Sequence, residues 1–451
     1  MLKALDLCYR DKLWHLLGVM LPIIATQMAI MGMNFFDASM SGQAGDVDLA
    51  GAAIGGNIWM PVQTGISGIL LAAMPLIANL YGAGEKEKIT AVVRQGLLLA
   101  LAFTLLILVG GALLLPALLQ SMELAPEVRY IALRYLGGLG MGALPFFMIT
   151  PLRSLVDTLG YTHLTMRIYL AALPVNALLN YLLIFGKLGL PRLGGIGAGI
   201  ASGLTYWLLL LAFACVVWRL PPFREYRVFA TVSCASRACG RYLRLGIPMG
   251  VSIFMETSIF GVVALFIAKF GTEVIAAHQA ALNFSSLVYM LPLSFSMALT
   301  IVVGVEYGAR NYQGARDYTT IGLQTSLGIA GFYMLAEYLF QEQIAMVYTA
   351  NVEVARMICH FLLYAIVWQA GDAITAPIQG ILRGYNDVNA TFWSGMLAYW
   401  GICLPLGLVL DYYFAHGAFA YWQSLDCGVL SNTVILTLRL WWLQGRIKRI
   451  K

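Results

Sequence analysis

Three carboxylates lie inside apolar stretches of the chain: Asp37, Glu256 and Asp372. An ionised side chain at bilayer depth costs roughly 2.5–3.5 kcal/mol on insertion scales, so such residues are rare and usually mark an ion or substrate pathway. Glu256 sits in VSIFMETSIFGVV, with no Lys or Arg on the same stretch nearer than Arg244. Its chemistry is either that of a cation site or that of a protonated carboxyl bonded to a neighbouring helix. Asp372 precedes Pro377 by five residues in AIVWQAGDAITAPIQG. A helical proline frees a carbonyl about four residues upstream, here Ala373. A freed carbonyl beside a carboxylate could cradle a cation, unless a neighbouring Ser or Thr satisfies it. Asp37 lies late in its stretch and reads equally as a pathway acid or a membrane-end residue.

Uncharged polar residues accompany the acids. Asn176 and Asn180 are spaced i, i+4 and share one helix face. Asn283 and Tyr289 lie in ALNFSSLVYMLP. Interhelical hydrogen bonding is the ordinary role of such side chains in lipid; lining a cavity is the other. His278 stands alone, with packing favoured over a proton relay. Aromatic and Met side chains are abundant, including Trp59, Phe284, Met290, Phe295 and Trp368; such walls adapt to varied apolar cations.

The elements that must hold these residues are membrane helices. The 451 residues are 60% hydrophobic and 11% charged, with a mean hydropathy of +0.78. A helical crossing needs about 20 mainly apolar residues, a barrel strand only about 9–11. Twelve stretches of helical length run from about 13–39 to about 423–443. The expected fold is an all-α polytopic membrane protein with twelve transmembrane helices. The first stretch is too long for a signal-peptide core and is expected to persist in the mature protein.

Charge sets orientation rather than a partner. With both termini in the cytoplasm, 22 of the 28 Lys and Arg fall on that side, among them Lys3, Arg10, Lys12 and the set from Arg219 to Arg244. That is the positive-inside bias, so the net charge of +6 does not imply nucleic acid. The seven cysteines are odd in number and scattered, and Cys234 with Cys239 makes no metal motif.

The chain reads as one module used twice. At an offset of 226 residues Pro22 meets Pro248, Asn57 meets Asn283, Tyr81-Gly82-Ala83 meets Tyr307-Gly308-Ala309, and Pro151 meets Pro377. Six crossings per repeat put both halves in the membrane the same way round, with a site expected between parallel repeats near midplane. The expected organisation is a six-helix lobe at 1–218, a basic cytoplasmic linker at 219–241 and a second six-helix lobe at 242–451. The acids break the symmetry: Asp37 corresponds to Val263, Glu256 to Ile30 and Asp372 to Phe146.

No P-loop, HExxH or GxSxG occurs, so neither ATP nor enzyme chemistry is expected to drive the protein. An ion gradient is the remaining source of work.

Several runs resemble the multidrug and toxic compound extrusion (MATE) family, most closely its NorM-type bacterial branch. They are LPIIATQMAIMGMNFFDASMSG at 21–42, YGAGEKEKI at 81–89, NYLLIFGKLGLPRLGGIGAGIA at 180–201, ALNFSSLVYMLP at 281–292 and ILRGYND at 381–387. The likeness covers essentially the whole chain. It departs at Phe36, where valine is usual, and is loose in SLVDTLGYT. The resemblance implies two pseudo-symmetric six-helix lobes in a V-shaped fold and export of organic cations in exchange for Na+ or H+. It places Glu256, Asp372 and Tyr289 at the cation-coupling site, with Glu256 and Asp372 as the Na+ ligands if the protein is sodium-coupled. It assigns Asp37, Gln279, Asn176 and Asn180 to substrate binding, and Asn283 joins them as a candidate from its own position. The expected partners are small organic cations, the coupling ion and membrane lipid, with no cofactor and no nucleic acid, acting as a monomer of the bacterial inner membrane. The alternatives are a lipid-linked oligosaccharide flippase of the same superfamily, which needs a strongly cationic cavity, and an integral membrane lipid enzyme, which needs catalytic clusters at membrane-edge loops.

Overall fold

The structure is a computed structural model that describes residues 8–122, 124–229 and 236–449. Lys3, and Cys234 within the expected linker, lie outside the described residues.

Among the described residues twelve helices are long, and no strand occurs. The first six are α1 (Tyr9–Ala44), α2 (Asp46–Gly82, with a turn at residues 71–72), α3 (Lys86–Ser121), α4 (Pro126–Thr158), α5 (Thr162–Phe185) and α6 (Gly195–Arg219). The second six are α7 (Ser236–Ile267), α8 (Thr272–Gly308), α9 (Tyr312–Tyr348), α10 (Val352–Gly384), α11 (Val388–Phe414) and α12 (Phe419–Arg449). Ten are long and apolar enough to cross a membrane; α9 and α12 match them in length, at 37 and 31 residues, but carry more polar side chains. This is the helix count expected from the apolar stretches. In lipid every backbone polar group must bond internally, which is why long apolar segments become helices.

The chain packs as two compact units, one spanning Leu21–Gly250 and the other combining 8–20 with the chain from Val251 onward. The boundaries fall inside α1 and α7, within two residues of the repeat prolines Pro22 and Pro248. Contacts at the helix starts explain them. Lys12 Nζ pairs with Asp317 at 2.6 Å and His15 Nδ1 lies 2.8 Å from Tyr318 Oη, which ties the start of α1 to α9. Tyr242 Oη donates to the Leu70 carbonyl at 2.6 Å, which ties the start of α7 to α2.

In the first unit α4 and α6 touch through small residues. A Cβ on Gly142 would sit 2.5 Å from the Gly203 Cα. Gly138 and Gly142 face Gly199 and Gly203, so each helix offers a glycine pair four residues apart, and backbones approach closely where no side chain intervenes. In the second unit Gly380 of α10 plays this part against the Ser296 carbonyl of α8. An aromatic core formed by Phe361, Trp422, Tyr421 and Trp368 holds α10 and α12 together in that unit. These packings fix the rotation of α4, α6, α8 and α10, and hence the direction of the polar residues they carry.

Candidate functional site

The acids occupy two clusters, one within each unit. In the second, α7 supplies Glu256, α8 Tyr289, α10 Asp372, Gln379 and Arg383, and α11 Tyr399. Tyr399 Oη donates to Glu256 Oε1 at 3.4 Å. Gln379 lies beside the same carboxylate, and the Arg383 guanidinium is within Coulomb reach of it. Arg383 Nη2 donates to Gln379 Oε1 at 3.5 Å, the two being one turn apart on α10. Asp372 is buried and feels the Glu256 charge directly. The Tyr289 hydroxyl is within reach of both acids and of Arg383. The structure therefore brings Glu256, Asp372 and Tyr289 together.

Local backbone geometry explains how Tyr399 arrives there. Residues Met396–Cys403 form a π-helical segment inside α11. One extra residue per turn rotates the side chains that follow, and such segments recur at functional sites. Trp400 Nε1 donates to the Met255 carbonyl at 3.2 Å, so α11 is pinned to the turn of α7 that carries Glu256.

The carbonyl freed by Pro377 is not an open ligand. Ser326 Oγ of α9 donates to the Ala373 carbonyl at 2.8 Å. The neighbouring-serine alternative holds there, and the oxygens of this cluster come from side chains: two carboxylates, two phenols and the Gln379 amide.

In the first unit Asp37 of α1 meets α5 and α6. Asn180 Nδ2 donates to Asp37 Oδ1 at 2.6 Å, and Asn176 Nδ2 reaches the same oxygen at 3.4 Å. Ser202 Oγ donates to Oδ2. Asn176 also reaches Thr205 Oγ1 at 3.4 Å, and Asn180 donates to Asn176 Oδ1 at 3.2 Å. The shared helix face of the two asparagines is thus aimed at the acid. Tyr135 and Tyr206 stand within reach of its charge. Every donor to Asp37 is uncharged, so the cluster carries a full negative charge when ionised. Beside it is an open groove of about 540 Å3 whose lining includes Phe35, Phe36, Met40, Tyr181, Lys187 and Arg192.

Gln279 and Asn283 join neither cluster. Both are exposed on one face of α8, and Asn283 Oδ1 accepts from Tyr348 Oη at 3.0 Å. His278 is fully buried, its Nδ1 accepting from Trp422 Nε1 at 3.0 Å between Trp422 and Phe361. Among the described residues no three His, Cys, Asp or Glu side chains converge to hold a metal.

Tyr399, Gln379, Arg383, Ser202 and Thr205 were not singled out from sequence. Arg383 alone had a signal, a charge in ILRGYND. The others are neutral and gain meaning only from packing.

Comparison with known proteins fits this architecture. The MatE family model matches residues 22–182 and again 248–412, two copies that begin 226 residues apart. The chain is 45% identical to the probable multidrug resistance protein NorM of Bacillus subtilis (strain 168), over 97% of each chain. It is 47% identical to the protein of the same name from Geobacillus kaustophilus (strain HTA426), over 94% of each. Its fold superposes on the eukaryotic MATE transporter AtDTX14 with a TM-score of 0.86 at 20% identity, covering 98% of this chain and 100% of that one. With the doubled family match and near-complete coverage by these relatives, the chain belongs to the MATE family, in its NorM-type bacterial branch.

Proposed function

We propose that this protein is a secondary active exporter of the bacterial inner membrane, with both termini cytoplasmic, that exchanges organic cations for Na+ or H+. The observation that carries the reading is the meeting of Glu256, Asp372 and Arg383 in one cluster, Asp372 and Arg383 buried and Glu256 half-buried. With both acids ionised the three side chains sum to one negative charge. One monovalent cation neutralises it, and so does one singly charged drug. A low-dielectric site penalises any residual charge, so ion and drug exclude each other, which is the condition for antiport. The names of the relatives, multidrug resistance proteins, support a range of cargo rather than one compound.

In the cycle, an external cation binds Glu256 and Asp372 with help from the Tyr289 and Tyr399 hydroxyls. The acids, now neutralised, lose their hold on a cationic drug, which leaves outward. Loss of the ion to the cytoplasm restores the negative charge. Asp37, held by neutral donors beside aromatic side chains, offers a second attraction for cationic cargo, in the first unit. A tenfold inward gradient with 100 mV is worth roughly 1.4 plus 2.3 kcal/mol per monovalent ion. A flippase for anionic lipid-linked sugars would need the opposite polarity: the two clusters hold three acids and one arginine.

The test is ethidium efflux from proteoliposomes under an imposed Na+ or pH gradient. Wild type is expected to respond to one of them, and Glu256→Gln and Asp372→Asn to lose gradient-driven efflux while remaining monodisperse. Undiminished efflux by the double amide variant would overturn the reading.

A further inference from the structure

The groove beside Asp37 differs in charge from the acid. Its walls carry two aromatic pairs. Phe35 and Phe36 lie near the end of α1 with ring centroids 6.0 Å apart, and Tyr181 and Phe185 lie at the end of α5, 5.7 Å apart. Both helices are odd-numbered crossings that stop just beyond the groove, at Ala44 and Phe185. The groove therefore lies at headgroup depth, where amphipathic rings such as tyrosine gather. Next to it runs the loop at 186–194. Gly186 takes a left-handed φ of +67°, and a Cβ there would meet the Arg192 backbone nitrogen at 2.6 Å. The Leu193 and Gly194 N–H groups donate to the Leu183 and Ile184 carbonyls at 3.0 and 3.1 Å. The loop is thus folded back on α5, and Lys187 and Arg192 join the groove lining. Arg192 Nη2 donates to the Ala44 carbonyl at 2.8 Å, which holds that guanidinium in place. Among the described residues neither cation forms an ion pair, and no acid lines the groove. Leu188 and Leu190 of the same loop are exposed, Leu188 by 88%, a surface suited to lipid rather than water.

Two unpaired cations beside aromatic walls repel a cationic drug and attract an anion. A free phosphate would leave the aromatic walls uncovered, and a zwitterionic lipid brings no net charge. From this geometry we infer that the groove is a binding site for an anionic phospholipid. Its phosphodiester lies against Lys187 and Arg192, the guanidinium matching two phosphate oxygens at once. Ser39 and Gln43, one turn apart on α1 and both in the lining, meet the headgroup hydroxyls. An acyl chain begins between the two aromatic pairs. The volume of about 540 Å3 falls within the range of roughly 300–1,000 Å3 that holds small molecules. With both termini cytoplasmic, the lipid comes from the outer leaflet. The inference requires only that the chain spans a bilayer, and it is independent of ion exchange.

The test is native mass spectrometry of the purified full-length protein titrated with phosphatidylglycerol or with phosphatidylcholine of the same acyl chains. Wild type is expected to retain one phosphatidylglycerol about tenfold more tightly than phosphatidylcholine. Lys187→Gln/Arg192→Gln should lose that preference. Both side chains are exposed, so the fold should survive, and Lys187→Arg/Arg192→Lys should keep the preference. Arg129→Gln/Arg134→Gln removes the same charge from α4, outside the groove, and should keep it too. Tyr181→Ser removes apolar wall and no charge, so it should weaken both lipids alike. Equal retention of the two lipids by wild type overturns the inference. So does an undiminished preference in the Lys187→Gln/Arg192→Gln variant, an equal loss in the Arg129/Arg134 variant, or unchanged affinity in Tyr181→Ser. Displacement of phosphatidylglycerol by an equal concentration of glycerol 3-phosphate would make this a site for a free phosphate ester and overturn the lipid. None of these measurements uses an ion gradient, so a failed efflux test leaves them untouched.

Discussion

Asp157 and Arg383 are the penultimate residues of α4 and α10, 226 positions apart in the two repeats, both buried and opposite in charge. Each unit solved the same buried position differently. In the first, Asp157 pairs with Arg153 one turn earlier at 3.2 Å, accepts from Thr165, and leaves Arg153 stacked over Tyr169 at 5.4 Å. The ion pair is closed and has no charge to offer. In the second, the residue corresponding to Arg153 is Gln379, so Arg383 has no charged partner one turn earlier and answers Glu256 instead.

A stability prediction follows for the first unit. Removing one partner of a buried pair strands the other charge, at about 3–5 kcal/mol. Asp157→Asn, which removes the charge but can keep the Thr165 contact, and Asp157→Ala are both expected to lower the melting temperature in detergent, the alanine variant somewhat further. Gradient-driven efflux per folded molecule should survive in both. A wild-type melting temperature for Asp157→Asn would show that the pair contributes little.

Arg383 calls for the reverse experiment. Arg383→Gln removes the countercharge and leaves Glu256 and Asp372 with two negative charges between them. The coupling ion should then bind more tightly, by about tenfold or more for a loss worth at least 1.4 kcal/mol, and release more slowly. Efflux should fall although ion affinity rises. Titration of Na+ binding and ethidium efflux on the same preparation separates this from unfolding, which would abolish both.

In the first unit, hydrogen bonds to a charged group are worth about 1.5–3 kcal/mol each. Asn180 makes the shorter of the two amide contacts to Asp37. Asn180→Leu is expected to weaken organic-cation binding by roughly one to two orders of magnitude, and Asp37→Asn by at least as much. Coupling-ion affinity should change in neither, since the Asp37 cluster shares no residue with the Glu256 cluster. Fluorescence titration with ethidium, run beside Na+ binding, reads both quantities.

The acids were legible in the sequence because charge is conspicuous in an apolar background, and the repeat because prolines and a YGA triplet recur at one offset. Helix number was legible from length alone. What stayed hidden depends on rotation about a helix axis and on partners distant in sequence. Gln279 and Asn283 lie ten and six residues before Tyr289, yet the packing of α8 leaves both exposed. Whether the Ala373 carbonyl is open turns on Ser326, 47 residues earlier, which bonds it. The exchange of the first turns of α1 and α7 between units leaves no mark in composition.

His278 was the one histidine with a conceivable relay role, and its surroundings argue for packing. Nδ1 accepts from the Trp422 indole, Nε2 has no partner, and two aromatic rings meet it edge-on. A relay needs a donor and an acceptor on opposite nitrogens, and only one is present among the described residues. His278→Leu leaves the indole N–H buried without an acceptor, at about 1–3 kcal/mol, so the protein should melt several degrees lower. The efflux that remains, measured per folded molecule across external pH, should follow the wild-type profile. A profile displaced along the pH axis would make His278 part of the proton path.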